Sequence, residues 1–209
     1  MGIYYTCQHE GAWKVALERG YLAANSDYVM FKDGVSEMFE PAYGWMVDQY
    51  ERRIGISLNG NYPIWCWDVF PEGTLDGYVN PGEQGVVLTV ELPDEHVLSS
   101  EALYWDVVTM QGSLHDRVED YDSGVELTLA EKKKAWEKIF DKDWCYAHAM
   151  PTRMPEYQHV IHRIELHQVR AVIPFTGRGD DWIDRLKHIG WRFGYRVGWN
   201  KSIPFHYQG

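Results

Sequence analysis

Aromatic residues are unusually abundant in this chain of 209 residues: ten Trp, fourteen Tyr and seven Phe make up 15% of the sequence. A tryptophan is large and usually keeps its indole N–H hydrogen-bonded, so ten of them are not all expected to fill one core. Several are expected to line a cleft, where a planar ligand such as nicotinamide, adenine or an unstacked base has a face to stack on. The alternative is that the aromatic residues thicken the core of a small, irregular fold.

Length and composition favour an ordinary globular protein. A chain of 24.4 kDa with 45% hydrophobic and 24% charged residues can bury one sizeable core. No apolar run approaches the roughly 18 residues of a membrane span, and the N-terminus lacks a basic stretch followed by an apolar one, so we expect a cytoplasmic protein without a membrane partner. The three cysteines, Cys7, Cys66 and Cys145, lie far apart and are predicted to be buried free thiols.

Charge is distributed unevenly along the chain. The formal net charge is -11, and residues 1–105 carry 16 acidic and 5 basic side chains, whereas residues 106–209 carry 15 of each. From residue 151 onward nine basic residues face five acidic ones, and six of the nine histidines lie between residues 148 and 206. This net charge argues against non-specific binding of duplex DNA, which needs many phosphates neutralised. The basic third either attracts an anionic ligand or forms a solvated face.

Hydrophobic spacing mixes helices and strands without a regular strand-helix-strand alternation. The pattern predicts a first strand over 3–7, a helix over 10–19 ended by Gly20, a helix from Pro41 to Gly55, strands over 62–69 and 85–92, a helix capped by Ser100, a helix opened by a Thr128–Glu131 capping box, strands over 157–164 and 168–175, a helix over 180–189 and a strand over 192–197. No glycine-rich phosphate loop follows a strand. We therefore expect a single α+β domain with a mixed or mainly antiparallel sheet.

Histidines and serines give no strong catalytic motif. His159 and His162 are predicted to project to opposite faces of one strand, and no paired metal-ligand spacing accompanies them or His167. No GxSxG sequence marks a nucleophilic serine. We expect no metal site and no acyl-transfer chemistry.

The early helix carries the most specific constellation. Trp45, Gln49 and Arg52 are spaced i, i+4 and i+7, which places a planar ring, an amide and a cation on one stripe beside Arg53. These groups together suit a base, an amide and a phosphate. The alternative is that Trp45 belongs to the core while the two arginines pair with nearby acids.

The following strand adds a second aromatic feature. Trp65 and Trp67 are two residues apart, so in a strand they share one face and form an aromatic wall.

Several blocks of the sequence resemble a known family. The blocks are 41–55, 62–67, 86–99, 135–144 and Gln158 ahead of Val169. In this order they resemble the uncharacterised phage and bacterial family catalogued as domain of unknown function 3841. The resemblance extends from about residue 3 to residue 175. The resemblance implies a family-like domain over 1–175. Residues 176–209 are then expected to be a helix-strand extension packed on the same domain.

A looser resemblance concerns the layout of the elements. A first strand ending in Thr6, a helix leaving through Gly20-Tyr21-Leu22 and a late strand entered through Gln158 are similar to small NAD-dependent ADP-ribosyltransferases, including toxins that modify DNA. This likeness implies a split sheet with NAD in the cleft, and a transfer of ADP-ribose to a macromolecule without a metal.

The same resemblance implies roles for particular residues. Thr6 corresponds to the polar residue of the first strand, and Gln158 lies where those enzymes carry a glutamate. Combined with the helix stripe and the aromatic wall, the predicted NAD-binding set is Trp45, Gln49, Arg52, Arg53, Tyr62, Trp65 and Trp67, and the predicted catalytic pair is Gln158 and Thr6.

The residue at the late strand leaves a second function open. A glutamine can orient a nucleophile or a ribose hydroxyl, but it cannot act as a general base. The alternative is therefore a non-catalytic module that binds a nucleotide or single-stranded nucleic acid in a tryptophan-lined groove.

Overall fold

A computed structural model describes residues 1–24, 36–71, 78–116, 120, 127–149, 153–177 and 203–207. In chain order its helices and strands are β1 (Gly2–His9), α1 (Glu10–Arg19), β2 (Tyr21–Ala23), α2 (Ser36–Ile54), β3 (Ile64–Trp67), β4 (Gln84–Leu92), β5 (Leu98–Glu101), α3 (Ala102–Thr109), α4 (Leu129–Trp136), α5 (Lys142–Ala147), β6 (Tyr157–Ile161), β7 (Arg163–Glu165), β8 (Val169–Thr176) and β9 (Ile203–Pro204). The predicted elements over 180–189 and 192–197 lie outside the described residues.

The described residues form two compact units, each assembled from separate stretches of the chain. The first unit contains residues 1–24, 64–71, 78–94, 163–177 and 203–207, and the second contains residues 36–63, 95–116, 120, 127–149 and 153–162.

An antiparallel sheet is the centre of the first unit. Strands follow one another in the order β3, β1, β4, β8 and β9, and β1 pairs with β4 along its whole length, from Gly2 opposite Leu92 to His9 opposite Gly85. Strand β4 is buried on both faces, since Val87, Leu88 and Val90 have no exposed surface. A small second sheet joins β2 to β7, also antiparallel.

Helix α1 follows β1 without a spacer. His9, the last residue of the strand, caps the helix because its Nδ1 accepts a hydrogen bond from the Gly11 N–H at 2.9 Å. Gly20 ends the helix with φ of +86°, and its N–H reaches the Ala16 carbonyl at 2.9 Å. Only a residue free of a Cβ adopts this conformation easily, so the predicted helix over 10–19 and its glycine stop are confirmed.

Helix α2 supplies the core of the second unit. Ala42, Met46 and Tyr50 have no exposed surface, and the Tyr50 hydroxyl donates to the His96 carbonyl at 2.7 Å. Strands β5 and β6 pair antiparallel beside it, from Leu98 opposite Val160 to Glu101 opposite Tyr157. The Thr128–Glu131 capping box opens α4 as predicted.

The predicted start of α2 at Pro41 is wrong by five residues. The helix begins at Ser36 and includes Pro41. Proline removes one N–H donor but holds a φ that suits a helix, so its usual place in the first turn is a preference and not a boundary. The predicted stop holds, since Gly55 has φ of +77° and its N–H bonds to the Glu51 carbonyl at 3.0 Å.

Two strand predictions and one cap also need correction. Ser100 lies in β5, and Glu101 caps α3 instead, because its longer carboxylate reaches the Tyr104 N–H at 2.7 Å. The strand predicted over 157–164 is divided into β6 and β7 at His162, whose N–H donates to the Tyr50 hydroxyl at 3.2 Å. The strand predicted over 62–69 is shorter and covers Ile64–Trp67 only.

The protein is therefore α+β with mostly antiparallel sheets, as the sequence predicts. None of the helices described here combines the length and the low polarity that crossing a bilayer requires.

Two glycines give a test of this packing. A Cβ on Gly44, inside α2, meets no atom within 4 Å, whereas a Cβ on Gly177 overlaps the carbonyl oxygen of Asn80. We expect Gly44→Ala to raise the free energy of unfolding by about 0.5–1 kcal/mol, since alanine loses less backbone entropy in a helix. Gly177→Ala should lower it. Denaturant unfolding of both variants is the measurement, and equal changes would contradict the structure at Gly177.

Candidate functional site

The predicted stripe on α2 exists, and its polar members bind one another. The Gln49 side chain is buried, and its Oε1 accepts hydrogen bonds from Arg52 Nη2 at 2.7 Å and from Arg53 Nε at 3.0 Å. Both guanidinium groups also reach Glu137, at 2.9 Å from Arg52 and 3.2 Å from Arg53. Burial lowers the pKa of Arg53, and the charge of Glu137 opposes that change. This cluster, Gln49–Arg52–Arg53–Glu137, is called the arginine cluster below.

Trp45 lies on the same helix but inside the core, with 3% of its surface exposed. Its ring stacks on Phe140 with centroids 5.6 Å apart, and Trp136 contacts it edge-on at 5.5 Å. Arg53 covers Phe140, with its Cζ 4.4 Å from the ring centroid. A ligand that stacks on Trp45 must displace Phe140, and the predicted ligand role of Trp45 stays a prediction.

Three further predicted residues lie in the first unit. Thr6 is fully buried; its hydroxyl donates to the Trp65 carbonyl at 2.7 Å and accepts from Gln8 Nε2 at 2.8 Å. Trp65 and Trp67 are partly exposed on one face of β3, while Ile64 and Cys66 are buried on the other. The predicted aromatic wall is thus present, and Tyr78 contacts Trp67 edge-on at 5.4 Å.

Tyr62 belongs to the second unit and joins a group of aromatic rings there. It contacts Tyr43 edge-on at 5.8 Å, and Tyr43 contacts Trp105 at 5.3 Å. Burial, with a smaller contribution from Asp106, raises the pKa of Tyr43 to about 12, so this phenol stays protonated near neutral pH.

Gln158 is a predicted site residue whose side chain is buried in the second unit. It lies on β6 directly opposite Ser100 of β5, and directly opposed residues project to the same face. The two side chains are 7% and 1% exposed, and neither Gln158 Nε2 nor Ser100 Oγ has a hydrogen-bond partner among the described residues. These two residues are called the Ser100–Gln158 pair.

Unbonded groups of this kind require an explanation. A buried polar group without a partner costs about 1–3 kcal/mol, and native proteins contain few of them. On the opposite face of the same strands Ser99 Oγ lies 2.9 Å from His159 Nδ1. The Ser100–Gln158 pair is therefore the best candidate for direct contact with a polar ligand.

Metal ligation finds no support in the described part of the chain. No cluster of three or more His, Cys, Asp or Glu side chains there has the geometry to hold an ion. The three cysteines are buried and unpaired with one another.

Sequence reasoning missed two residues that matter at this site. The sequence predicts Ser100 as a helix cap, and no alternation of apolar and polar residues marks β5 as a strand, because three of its four residues are polar and three are buried. Glu137 lies 84 residues after Arg53, and no local pattern connects the two.

The described residues form an α+β protein with mostly antiparallel sheets. The chain belongs to the family described as Domain of unknown function (DUF3841), whose model matches residues 3–123. This range contains three of the blocks that carried the resemblance, while the blocks at 135–144 and from Gln158 lie beyond it. No curated protein and no solved structure matches the chain.

The thiols give a prediction about pH. Burial raises the pKa of Cys66 and Cys145 to about 12 and raises that of Cys7 as well. At pH 8 the folded protein should therefore react negligibly with a thiol reagent, and all three cysteines should react after unfolding. Because the unfolded thiols ionise near pH 8.5, the free energy of unfolding should fall as the pH rises from there toward 12.

Thiol titration with and without denaturant, and unfolding curves from pH 7 to 11, are the measurements. Rapid reaction of one thiol in the folded protein would contradict its burial.

Proposed function

We propose that this protein has an ADP-ribosyltransferase-like fold that binds NAD and transfers its ADP-ribose to a macromolecular target. The observation that carries the proposal is the buried Nε2 of Gln158 on β6, for which the described residues offer no hydrogen-bond partner. The three buried free thiols suit a reducing compartment such as the cytoplasm.

The Ser100–Gln158 pair offers groups that suit a ribose or a carboxamide. The Gln158 amide provides two N–H donors, and the Ser100 hydroxyl both donates and accepts. Their side chains leave facing positions of one strand pair, so one ligand group can contact both. A vicinal diol or an amide carries two separate polar atoms, so one of them can accept from the Gln158 Nε2–H while the other bonds to the Ser100 hydroxyl.

The arginine cluster supplies a place for the pyrophosphate. Arg52 keeps 56% of its side chain exposed, and its partner Glu137 keeps 39%. An ion pair this exposed contributes about 0–1 kcal/mol, so a phosphate can replace Glu137 at little cost. Gln49 holds both guanidinium groups in place while this happens, since its oxygen contacts Arg52 and Arg53 together.

Chemistry at the ribose requires support for positive charge as nicotinamide leaves. Gln158 can orient the ribose through its amide, but it carries no negative charge and removes no proton. The proton of the attacking group must then leave through the target or the solvent.

This amide favours one second candidate, a module that binds a nucleotide or single-stranded nucleic acid without transfer. It differs from the first only in the outcome after binding. Taken by itself, the first unit also offers base-stacking surface, since Trp65 and Trp67 are partly exposed on one face of β3.

Incubation with NAD separates the two candidates. For the transferase we expect a melting temperature that rises with NAD concentration, release of nicotinamide and added ADP-ribose on proteins or nucleic acids of a lysate, measured by mass spectrometry. Stabilisation without nicotinamide release supports the binding module. No stabilisation by millimolar NAD or by oligonucleotides contradicts both.

A matched pair of glutamine variants tests the role of Gln158. In Gln158→Leu a buried Nε2 without a partner among the described residues is removed, so stability without ligand should stay equal or rise, while NAD affinity should fall about tenfold or more. In Gln49→Leu two hydrogen bonds to arginine are lost, so stability should fall by about 1–3 kcal/mol.

Denaturant unfolding and titration calorimetry are the measurements. A Gln158→Leu protein that is as destabilised as Gln49→Leu would show that the Gln158 amide is structurally satisfied, and the proposal would lose its main support.

A further inference from the structure

An exposed turn, residues 57–61, lies between α2 and β3 and contains the sequence Asn59-Gly60. We call it the Asn59 turn. Both residues have a left-handed backbone, with φ of +52° at Asn59 and +80° at Gly60. Asn61 closes the turn, because its backbone N–H and its side-chain Nδ2 both donate to the Leu58 carbonyl, at 3.0 and 3.1 Å.

The Asn59 turn places an electrophile beside a nucleophile. The carboxamide carbon of Asn59, Cγ, can form a five-membered ring with the backbone nitrogen of Gly60. Neither the Asn59 carboxamide nor the Gly60 N–H has a hydrogen-bond partner among the described residues. Both residues are exposed, and a Cβ on Gly60 meets no atom within 4 Å, so the space around this nitrogen is open.

The other asparagines in the described part of the chain lack this combination. Asn61 is followed by the bulky Tyr62, and its carboxamide nitrogen donates to a backbone carbonyl at 3.1 Å. Asn80 is followed by a proline, which has no N–H, and its Nδ2 donates to Glu83 at 3.1 Å. Asn59 therefore differs from both in its neighbour and in its unbonded side chain.

From this geometry we propose that Asn59 is a site of spontaneous deamidation, at a rate set by opening of the Asn59 turn. The Gly60 nitrogen attacks Cγ of Asn59, an N–Cγ bond closes a succinimide, and the Cγ–Nδ2 bond breaks as ammonia leaves with the proton of the Gly60 amide. Water then opens the ring. Cleavage of the N–Cγ bond gives aspartate, and cleavage of the bond to the main-chain carbonyl gives isoaspartate.

This reaction needs water as its co-reactant and oxidises or reduces no group. Its net result is the exchange of an NH group for oxygen. The inference is independent of the proposed function.

The folded turn controls how often the two reacting atoms meet. The ring forms when the Asn59 carboxamide turns onto the Gly60 nitrogen, and the hydrogen bonds from Asn61 to Leu58 restrain that movement. Residues 55–63 belong to no helix or strand, so the turn opens without breaking a sheet. Isoaspartate adds a methylene to the main chain inside the turn and should prevent its closure.

Incubation of the folded protein in mildly alkaline buffer, followed by peptide mapping with mass spectrometry, tests the proposal. We expect exchange of NH for oxygen at Asn59 and none at Asn80, with isoaspartate distinguished from aspartate by electron-transfer fragmentation. Hydroxylamine cleaves succinimides, so it should split the chain between Asn59 and Gly60. Asn59→Gln should give neither product, because the longer side chain must close a less favourable six-membered ring.

Asn61→Ala tests the restraint by the turn. It removes the Nδ2 hydrogen bond and keeps the backbone N–H, so Asn59 should deamidate about fivefold faster, as expected for one lost neutral hydrogen bond. Asn80→Ala is the matched control, because it removes an asparagine hydrogen bond of the same length in the first unit. It should leave the rate at Asn59 unchanged.

Two results would overturn the proposal. One is an intact Asn59 in the folded protein after an incubation that converts it in denaturant. The other is an equal rate in the wild type and Asn61→Ala.

Discussion

The ladder between β1 and β4 is the interaction on which the first unit depends. Eight residues of β1 pair with β4 in one uninterrupted register, and β4 then pairs with β8 on its other side. Because β4 is buried on both faces, its run of valines and leucines needs neighbours on every side. A slip of one residue would exchange the faces of β1 and expose Thr6, whose hydroxyl binds the Trp65 carbonyl.

Local signals predicted most of the elements, because the interactions that set them are local. The glycine that ends α1 and the capping box of α4 act within one helical turn, and the structure confirms both predictions. Errors occurred where a distant group decides. The strand around His162 is interrupted by the hydroxyl of Tyr50, which lies 112 residues earlier in the chain. Glu101, and not Ser100, caps α3, a choice that depends on the strand pairing of both residues.

The candidate site shows the same division between local and distant interactions. Helical spacing correctly placed Gln49 beside the two arginines, since side chains three and four apart meet on one face. The counter-charge on Glu137 and the stacking of Phe140 on Trp45 come from a segment more than eighty residues later. Periodicity therefore indicates which side chains lie together but not whether their charges are already compensated. Whether a cluster of charged side chains can bind a ligand or is already a complete ion pair depends on that compensation.

His9 is the last residue of β1, where it pairs with Gly85 of β4, and it also caps α1. The strand and the helix therefore follow one another without a linker. Insertion or deletion of a residue at this junction would rotate the helix about its axis by about 100° relative to the sheet. We therefore expect insertions and deletions in related chains to fall outside the junction of β1 and α1. The junction is then a fixed reference point for aligning those chains.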